Sequence, residues 1–454
     1  MRCDSPWKPD GRRFWPAACR AARWPCPPRR PKGCWINGST AARRAALDIL
    51  RVVRAGAHFA AARDQAVAGL PDRDRRLAHE LSAGVLRGQR ALDRELDIER
   101  ADPRLHDILR LGAYQLRRLS RVPAHAAVST SVALAREVVG EAAARFVNQA
   151  LRRVARDDGH SRPGSVDTHP PWLAGRWRQR FGPEETRRLL AWNDVRPPLT
   201  LQPARWDLAT LRRTLVDAGV AVGEAPFGAG LRIGSGHPRT LPGYEEGGFL
   251  VQDPAQALVV RFAAIPTGAA VYDACAAPGG KAVALATAGA RVTAGDIRRE
   301  RLDRLYDNVR RAGVAVHGVA ADLLAAPFRA GSWDAVLVDA PCTATGSMAH
   351  HPDARWRLTP GAIERIAGRQ TALLDAAAHL VRPGGVLVYA TCSIEPEENE
   401  RQVEEFLQRH TAFARRPEPG GVPAQLLTSA GDFQSLPQRD GVDGAYAARL
   451  GRSA

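Results

Sequence analysis

Trp333-Asp-Ala-Val-Leu-Val-Asp-Ala-Pro-Cys342 is the stretch that decides the fold. Val336, Leu337 and Val338 form a short apolar run of the kind buried on both faces of a parallel sheet. The run stops at Asp339-Ala340-Pro341-Cys342, because proline has no N–H for a neighbouring strand and the backbone must leave the sheet there. A carboxylate and a thiol are thereby set at the carboxyl end of a strand, where open α/β sheets bind ligands. A second apolar run, Gly385-Val-Leu-Val-Tyr-Ala390, ends in Thr391-Cys392-Ser393. Two cysteines at two strand ends predict one site.

Upstream, from residue 269, the chain repeats strand, loop and helix, the pattern of a doubly wound sheet. Val271-Tyr-Asp273 ends a first strand. Ala274-Cys275-Ala276-Ala277-Pro278-Gly279-Gly280-Lys281 then leads into a helix through Ala288, with Gly279 and Gly280 letting the backbone approach a ligand at the helix N-terminus. This is neither the Gly-x-Gly-x-x-Gly dinucleotide fingerprint nor a phosphate loop, which would end in Gly-Lys-Ser/Thr. A second strand, Arg291–Ala294, reaches Gly295-Asp296, where a carboxylate suits both hydroxyls of a ribose. A third, about Val314–Val319, leads to Ala321-Asp322, placed to meet an adenine amino group. One acid after a strand is usually a helix cap. Three in register, Asp296, Asp322 and Asp339, imply an adenosine without phosphates.

The chain has 454 residues, a net charge of +17 and only three lysines, Lys8, Lys32 and Lys281. The length exceeds one ordinary domain, and the charge points to a polyanion, nucleic acid first. Arginine is written nearly everywhere else, so single arginines carry little meaning and Lys281 stands out. Cys3, Cys19, Cys26 and Cys34 lack the paired spacing of zinc sites, so no metal is expected. No apolar run approaches the roughly 18–20 residues that span a bilayer. Free thiols with no signal peptide fit a reducing cytoplasm.

Residues 1–40, with nine Lys/Arg against two Asp, read as a basic disordered extension or an RNA-binding tail. Residues 41–158 read as a helical bundle: Leu47, Leu50, Leu77, Leu81, Val85, Ile108, Leu109, Gly112, Leu116, Val147, Leu151 and Val154 recur at spacings of three and four. His160–Thr168 is a polar linker. Residues 169–250 read as a small α+β module opened by a Trp-rich helix, its tryptophans either core residues or base-stacking platforms. The fourth domain, residues 251–454, carries the motifs above.

Asp273-Ala-Cys-Ala-Ala-Pro-Gly-Gly-Lys281, Asp339-Ala-Pro-Cys342, Ala344-Thr-Gly346, His351-Pro-Asp353 and Thr391-Cys-Ser-Ile-Glu-Pro-Glu-Glu-Asn399 occur in that order. Together they resemble the S-adenosylmethionine-dependent RNA cytosine-C5 methyltransferases. The helices ending in Phe146-Val-Asn-Gln-Ala-Leu-Arg152 look like a NusB-type RNA-binding domain, which narrows the resemblance to the RsmB (Sun/Fmu) family acting on 16S rRNA. The resemblance implies a NusB-like bundle, a small α+β module and a Rossmann-like α/β methyltransferase domain. It implies S-adenosyl-L-methionine as cofactor and 16S rRNA, before full subunit assembly, as partner.

Carbon 5 of cytosine is a poor nucleophile, so covalent addition of a thiolate at carbon 6 must first activate the ring. The resemblance makes Cys392 that nucleophile, gives release to Cys342, and sets Asp339 and Lys281 at the base. It places Ala274 to Lys281, Asp296, Arg301, Asp303, Asp322 and Asp339 around the cofactor. DNA cytosine methyltransferases attack from the Pro-Cys position, so residue types alone leave the cysteine order open. The chain also departs from the family. Ala349-His350 stands where two arginines precede His-Pro-Asp, Leu201-Gln202-Pro203 replaces Arg-Val-Asn, and Ala282 replaces threonine. The first two changes remove expected RNA contacts. A methyltransferase acting on an exocyclic amine or on another RNA, and a non-catalytic RNA-binding factor on the same scaffold, are the alternatives; the first needs no cysteine.

Overall fold

The computed structural model describes residues 38–157, 168–234, 236–417 and 420–454. The basic extension lies outside these residues except for its last three positions, and the polar linker except for Thr168. Among the described residues no helix is long and apolar enough to cross a membrane.

Six helices open the chain: α1 (Gly38–Arg54), α2 (Phe59–Ala66), α3 (Asp72–Leu96), α4 (His106–Arg118), α5 (Ala124–Val138) and α6 (Glu141–Arg156). The apolar stripes meet in one core containing Leu47, Leu50, Leu81, Val85, Ile108, Leu109, Val147, Leu151 and Val154. Pro71 and Pro123 stand at the N-caps of α3 and α5, where no intrahelical N–H is needed. Gly112 belongs to the apolar stripe because α4 and α6 cross there: a Cβ would lie 2.4 Å from Leu151.

Helix α7 (Pro171–Asp194) is kinked at Gly182-Pro183. The sequence groups it with the α+β module, but it packs elsewhere. Leu173, Trp177, Leu189 and Leu190 pack with Met348, Ala354, Ile394 and Leu436 of the C-terminal domain. A stripe of apolar residues shows that a helix is half buried, not against what. Trp177 is fully buried and donates Nε1–H to Glu395 Oε1 at 2.9 Å, so it is a core residue rather than a platform for bases. The module itself is β1 (Leu199–Pro203), α8 (Leu208–Asp217), β2 (Val222–Glu224), β3 (Leu231–Ile233) and β4 (Phe249–Val251). Its four strands pair antiparallel in the order β2-β3-β1-β4, with α8 packed on Leu201, Leu231 and Phe249.

The C-terminal domain begins with α9 (Pro254–Ala263) and β5 (Ala270–Asp273), then α10 (Gly280–Thr287), β6 (Arg291–Asp296), α11 (Arg299–Ala312), β7 (Val316–Ala320) and β8 (Trp333–Asp339). It continues through α12 (Ala354–Arg357), α13 (Pro360–Leu380), β9 (Val381–Thr391), α14 (Glu400–Arg409), β10 (Phe413–Arg415), β11 (Phe433–Ser435), α15 (Pro437–Asp440) and β12 (Ala445–Arg452). The eight-stranded sheet runs β10-β12-β9-β8-β5-β6-β7, with β11 paired to β12. Strands β5 to β9 are parallel, and β10, β11 and β12 are antiparallel. Both faces are buried. Val336, Val338, Leu387 and Tyr389 join α13 in one core, while Leu337, Val388 and Val292 meet α10 and α11 in another.

Strand β7 begins two residues later than its apolar pattern, because Gly313 caps α11 with φ 68° and Val314 still donates its N–H to Val309. Chain order reverses between β5 and β8, and that switch point opens the crevice at the carboxyl ends of the strands.

Candidate active site

Strand β8 carries Asp339 to the mouth of the crevice, and Pro341 turns the chain out of the sheet before Cys342. Strand β9, paired beside it with Asp339 opposite Ala390, delivers Cys392. The two Sγ atoms are 3.1 Å apart. That is a hydrogen-bond contact and well beyond the ~2.05 Å of a disulfide. Both thiols are half-buried. The hydrogen bond to Cys392 and then burial push the Cys342 thiol well above its ordinary range, and either sulfur can donate in the contact.

The segments after both cysteines are fastened to each other. Gly346 N–H donates to Cys392 O at 3.0 Å, and Gly444 N–H donates to Gly346 O at 2.8 Å. Gly346 must be glycine, since a Cβ would sit 2.3 Å from Gly444 O. Beneath them lies the buried Glu398. It accepts from Thr343 N–H at 2.9 Å, Ser393 Oγ–H at 2.6 Å, Gln370 Nε2–H at 3.0 Å and the Thr343 hydroxyl.

Lys281, in the first turn of α10, is buried and places Nζ 2.7 Å from Asp339 Oδ2, with Gln256 Oε1 as a second acceptor. The pair brings two of the sequence-selected residues together. Asp273, at the end of β5, is fully buried with neither carboxylate oxygen hydrogen-bonded within the chain. Burial first, and then the charge of Asp339, push its carboxyl up to about 7.

The loop from Ala274 to Lys281 hangs between these strand ends: Ala274 N–H donates to Leu337 O at 2.8 Å and Ala276 N–H to Gly295 O at 2.9 Å. Gly279 has φ 99°, a conformation other residues rarely adopt. A Cβ on Gly280 would lie 2.9 Å from the Gln252 amide. Ala276 and Ala277 are buried, Pro278 is exposed, and the half-buried Cys275 thiol is pushed up to about 12 by burial, then by Asp339.

Asp296 is buried and accepts from Arg298 N–H at 2.9 Å and Arg301 at 3.3 Å; the other arm of Arg301 reaches Ala277 O at 3.4 Å. Asp322 stands at the neighbouring strand end, where its carboxylate accepts from Leu324 N–H at 3.0 Å as a helix cap. Asp303 is exposed on α11.

Three features escape a reading of the sequence. Asp273 was legible as a strand end, but not as an orphaned carboxylate. Gln256 carries no sequence signal of its proximity to Lys281. The third is the His351-Pro-Asp353 segment, which is a strut. Asp353 Oδ2 accepts from Phe59 N–H at 3.2 Å, Trp356 Nε1–H donates to Leu86 O at 2.7 Å, and Arg87 donates to Ala349 O at 3.1 Å. The loop after Cys342 is therefore bolted to α2 and α3. Of the departures from the family pattern, Ala349, Leu201, Gln202 and Ala282 are buried, Pro203 is half-buried and His350 is exposed. His350 Nε2 lies 3.6 Å from Asp443 and 3.8 Å from Asp253, and although burial lowers its pKa, the two carboxylates raise it further.

Known proteins resemble the chain along most of its length. The sequence model of "16S rRNA methyltransferase RsmB/F" matches residues 264–451, that of the NusB family residues 40–156, and that of the "Methyltr_RsmF/B-like, ferredoxin-like domain" residues 169–238. The chain is 34% identical to a probable ribosomal RNA small subunit methyltransferase B of Synechocystis, over 83% of this chain and 91% of that one. The chain belongs to the RsmB/F methyltransferase family. It is also 33% identical to ribosomal RNA small subunit methyltransferase B of Escherichia coli O157:H7, over 84% of this chain and 91% of its relative. The crystal structure of PH0851 superposes with a TM-score of 0.76 at 25% identity, covering 92% of this chain and all of the other.

As an RsmB/F protein the chain is an S-adenosyl-L-methionine-dependent rRNA methyltransferase. The crevice fits that methyl donor. Asp273 offers two buried acceptor oxygens without a donor, as an ammonium group requires, and the glycines of the 274–281 loop let the backbone come close.

Proposed function

We propose that this RsmB/F protein makes 5-methylcytosine in 16S rRNA through a covalent adduct between Cys392 and carbon 6 of the target cytosine. The observation that carries the reading is the pair of sulfurs 3.1 Å apart at two adjacent strand ends. Methylation of an exocyclic amine needs no thiol, whereas carbon 5 chemistry needs one to attack and a second group to assist release. The methyl donor supplies an electrophilic methyl group.

Cys342 serves as the thiol of the 3.1 Å contact and Cys392 as the attacking sulfur. The Cys392 thiolate adds to carbon 6, and the electron pair of the C5=C6 bond turns carbon 5 into the nucleophile. Asp339 faces the nitrogen 3 side, and the proton that Lys281 Nζ donates to it is relayed to nitrogen 3 as negative charge develops there. After methylation Cys342, as the thiolate, takes the carbon 5 proton, the freed electron pair restores the C5=C6 bond, and the C6–S bond breaks to regenerate the Cys392 thiolate. Once Cys392 is bonded to carbon, it no longer holds the Cys342 proton as a thiolate acceptor. The largest cause of the high Cys342 pKa is then gone, and that thiol becomes available for the release step.

Asp296, Arg301 and the 274–281 loop line the cofactor side, with Asp322 and Asp303 flanking it. The target base must leave its stack to enter the crevice, so the substrate is naked or partly assembled rRNA. We place the reaction in the cytoplasm, where the free thiols Cys275, Cys342 and Cys392 stay reduced.

Incubation of the full chain with unmodified 16S rRNA and S-adenosyl-L-methionine, followed by digestion and separation of nucleosides, tests the product. The expected product is 5-methylcytidine. N4-methylcytidine, a methylated adenosine, or no methylation contradicts the reading.

A further inference from the structure

Glu398 is an oddity that the reaction above does not use. It is fully buried and makes no ion pair among the described residues. A buried carboxylate without a cation is costly unless several donors hold it. Here four neutral donors do so: Thr343 N–H, the Thr343 hydroxyl, the Ser393 hydroxyl and the Gln370 amide. Every partner donates, as an acceptor-only carboxylate requires, and these bonds work against the burial that pushes the Glu398 carboxyl above its ordinary range. Two of the residues it grips, Thr343 and Ser393, directly follow Cys342 and Cys392. Gln370 uses the same amide nitrogen to hold Pro341 O at 2.9 Å, the residue before Cys342. Tyr389, on β9, donates its hydroxyl to the Glu398 carbonyl at 2.7 Å, and Asn399 accepts from Thr391 at 2.6 Å and donates to Ser393 O at 2.9 Å.

We infer that Glu398 is a positioning residue that keeps the two cysteines in separate roles, its side chain fixing both loops in register and setting a negative charge beside Cys342. This inference rests on the two-cysteine reading of the reaction. The charge disfavours a Cys342 thiolate, and it acts in the same direction as the hydrogen bond to Cys392 and as burial. The titratable groups facing this corner are Cys342, Cys392 and Tyr389 from the two strands, together with Glu398 itself. Ionisation of Cys342 is thereby disfavoured. A merely structural clamp would hold the loops but would not care whether it carried a charge.

Alkylation by iodoacetamide, read per cysteine by peptide mass spectrometry on the full chain without RNA, tests the inference. Wild type is expected to label Cys392 well ahead of Cys342. Glu398→Gln, which keeps the shape and removes the charge, is expected to raise Cys342 labelling relative to Cys392 by about tenfold, the change in thiolate fraction that one pKa unit brings. A ratio within twofold of wild type, in a variant that melts cooperatively above the assay temperature, overturns it. If Glu398→Gln does not fold, Glu398→Asp takes its place: the charge stays, the shorter arm releases one loop, and the labelling order is expected to persist while kcat falls at least tenfold. An unchanged kcat in Glu398→Asp overturns the positioning role. Failure of the underlying reaction reads differently, since wild type would then form no 5-methylcytidine whatever its labelling ratio.

Discussion

Asp273 illustrates what a single residue contributes here. Its carboxylate is buried with no donor within the chain, and its pKa is pushed up to about 7. A group whose folded pKa lies above its unfolded value, ~3.9 for aspartate, favours folding fully below that unfolded value. Its contribution is lost as pH rises through 7. Without cofactor, wild type is therefore expected to lose stability between pH 4 and 8 relative to Asp273→Asn. The difference is as much as about 4 kcal/mol at ~1.36 kcal/mol per unit. Thermal melts across this range check it, and parallel profiles for the two proteins contradict it. Asp273→Asn is expected at the same time to bind S-adenosyl-L-methionine at least tenfold more weakly by calorimetry. Legibility at this scale is uneven. Lys281 stood out as the last lysine in an arginine-rich chain, and it does meet Asp339. Whether Asp273 finds a partner depends on side chains from three strands, which no local pattern reports.

Elements were legible where burial is two-sided. Strands β5, β6, β8 and β9 announce themselves as short apolar runs stopped by polar residues. The edge strands β10 and β11 span three residues each and give periodicity too little length to act on. Helix α7 showed its apolar stripe but not its partner, because the stripe carries no address. The loop after Cys342 is the element where this matters. Arg355, fully buried in α12, donates to Asp194 at 2.7 Å and to Asn193 O at 2.8 Å, joining that loop to the end of α7. Arg355→Ala is expected to cost about 3–5 kcal/mol, the usual effect of removing one partner from a buried ion pair. Trp356→Phe, which loses only the hydrogen bond to Leu86, is expected to cost about 1 kcal/mol. Denaturant unfolding separates the two. Equal losses would mean that the loop is anchored by packing alone.

At the scale of the whole molecule, the helical domain is locked to the catalytic loop rather than loosely tethered. Phe59, Leu86 and Arg87 all bond to residues between Ala349 and Trp356. Any RNA that the helical domain held would therefore meet the crevice at a fixed distance. The net charge of +17 supplies the attraction. Each phosphate neutralised is expected to contribute roughly −0.7 to −0.9 to the slope of log affinity against log salt. Affinity for 16S rRNA is accordingly expected to fall on the order of a hundredfold between 50 and 200 mM salt. Filter binding across that range checks it, and a flat profile would contradict an electrostatic mode of capture. Charge was readable from composition, whereas the locking was not, because it depends on backbone acceptors distant in sequence.

Cys392 and Cys342 are proposed to divide attack and release between them. The most direct test of that division is a denaturing gel of protein incubated with 16S rRNA and labelled S-adenosyl-L-methionine, comparing wild type, Cys392→Ala and Cys342→Ala. Cys392→Ala is expected to give no methylation and no protein–RNA adduct, and Cys342→Ala an accumulated, denaturant-resistant adduct. The reverse pattern, with the adduct in Cys392→Ala and none in Cys342→Ala, would contradict that division.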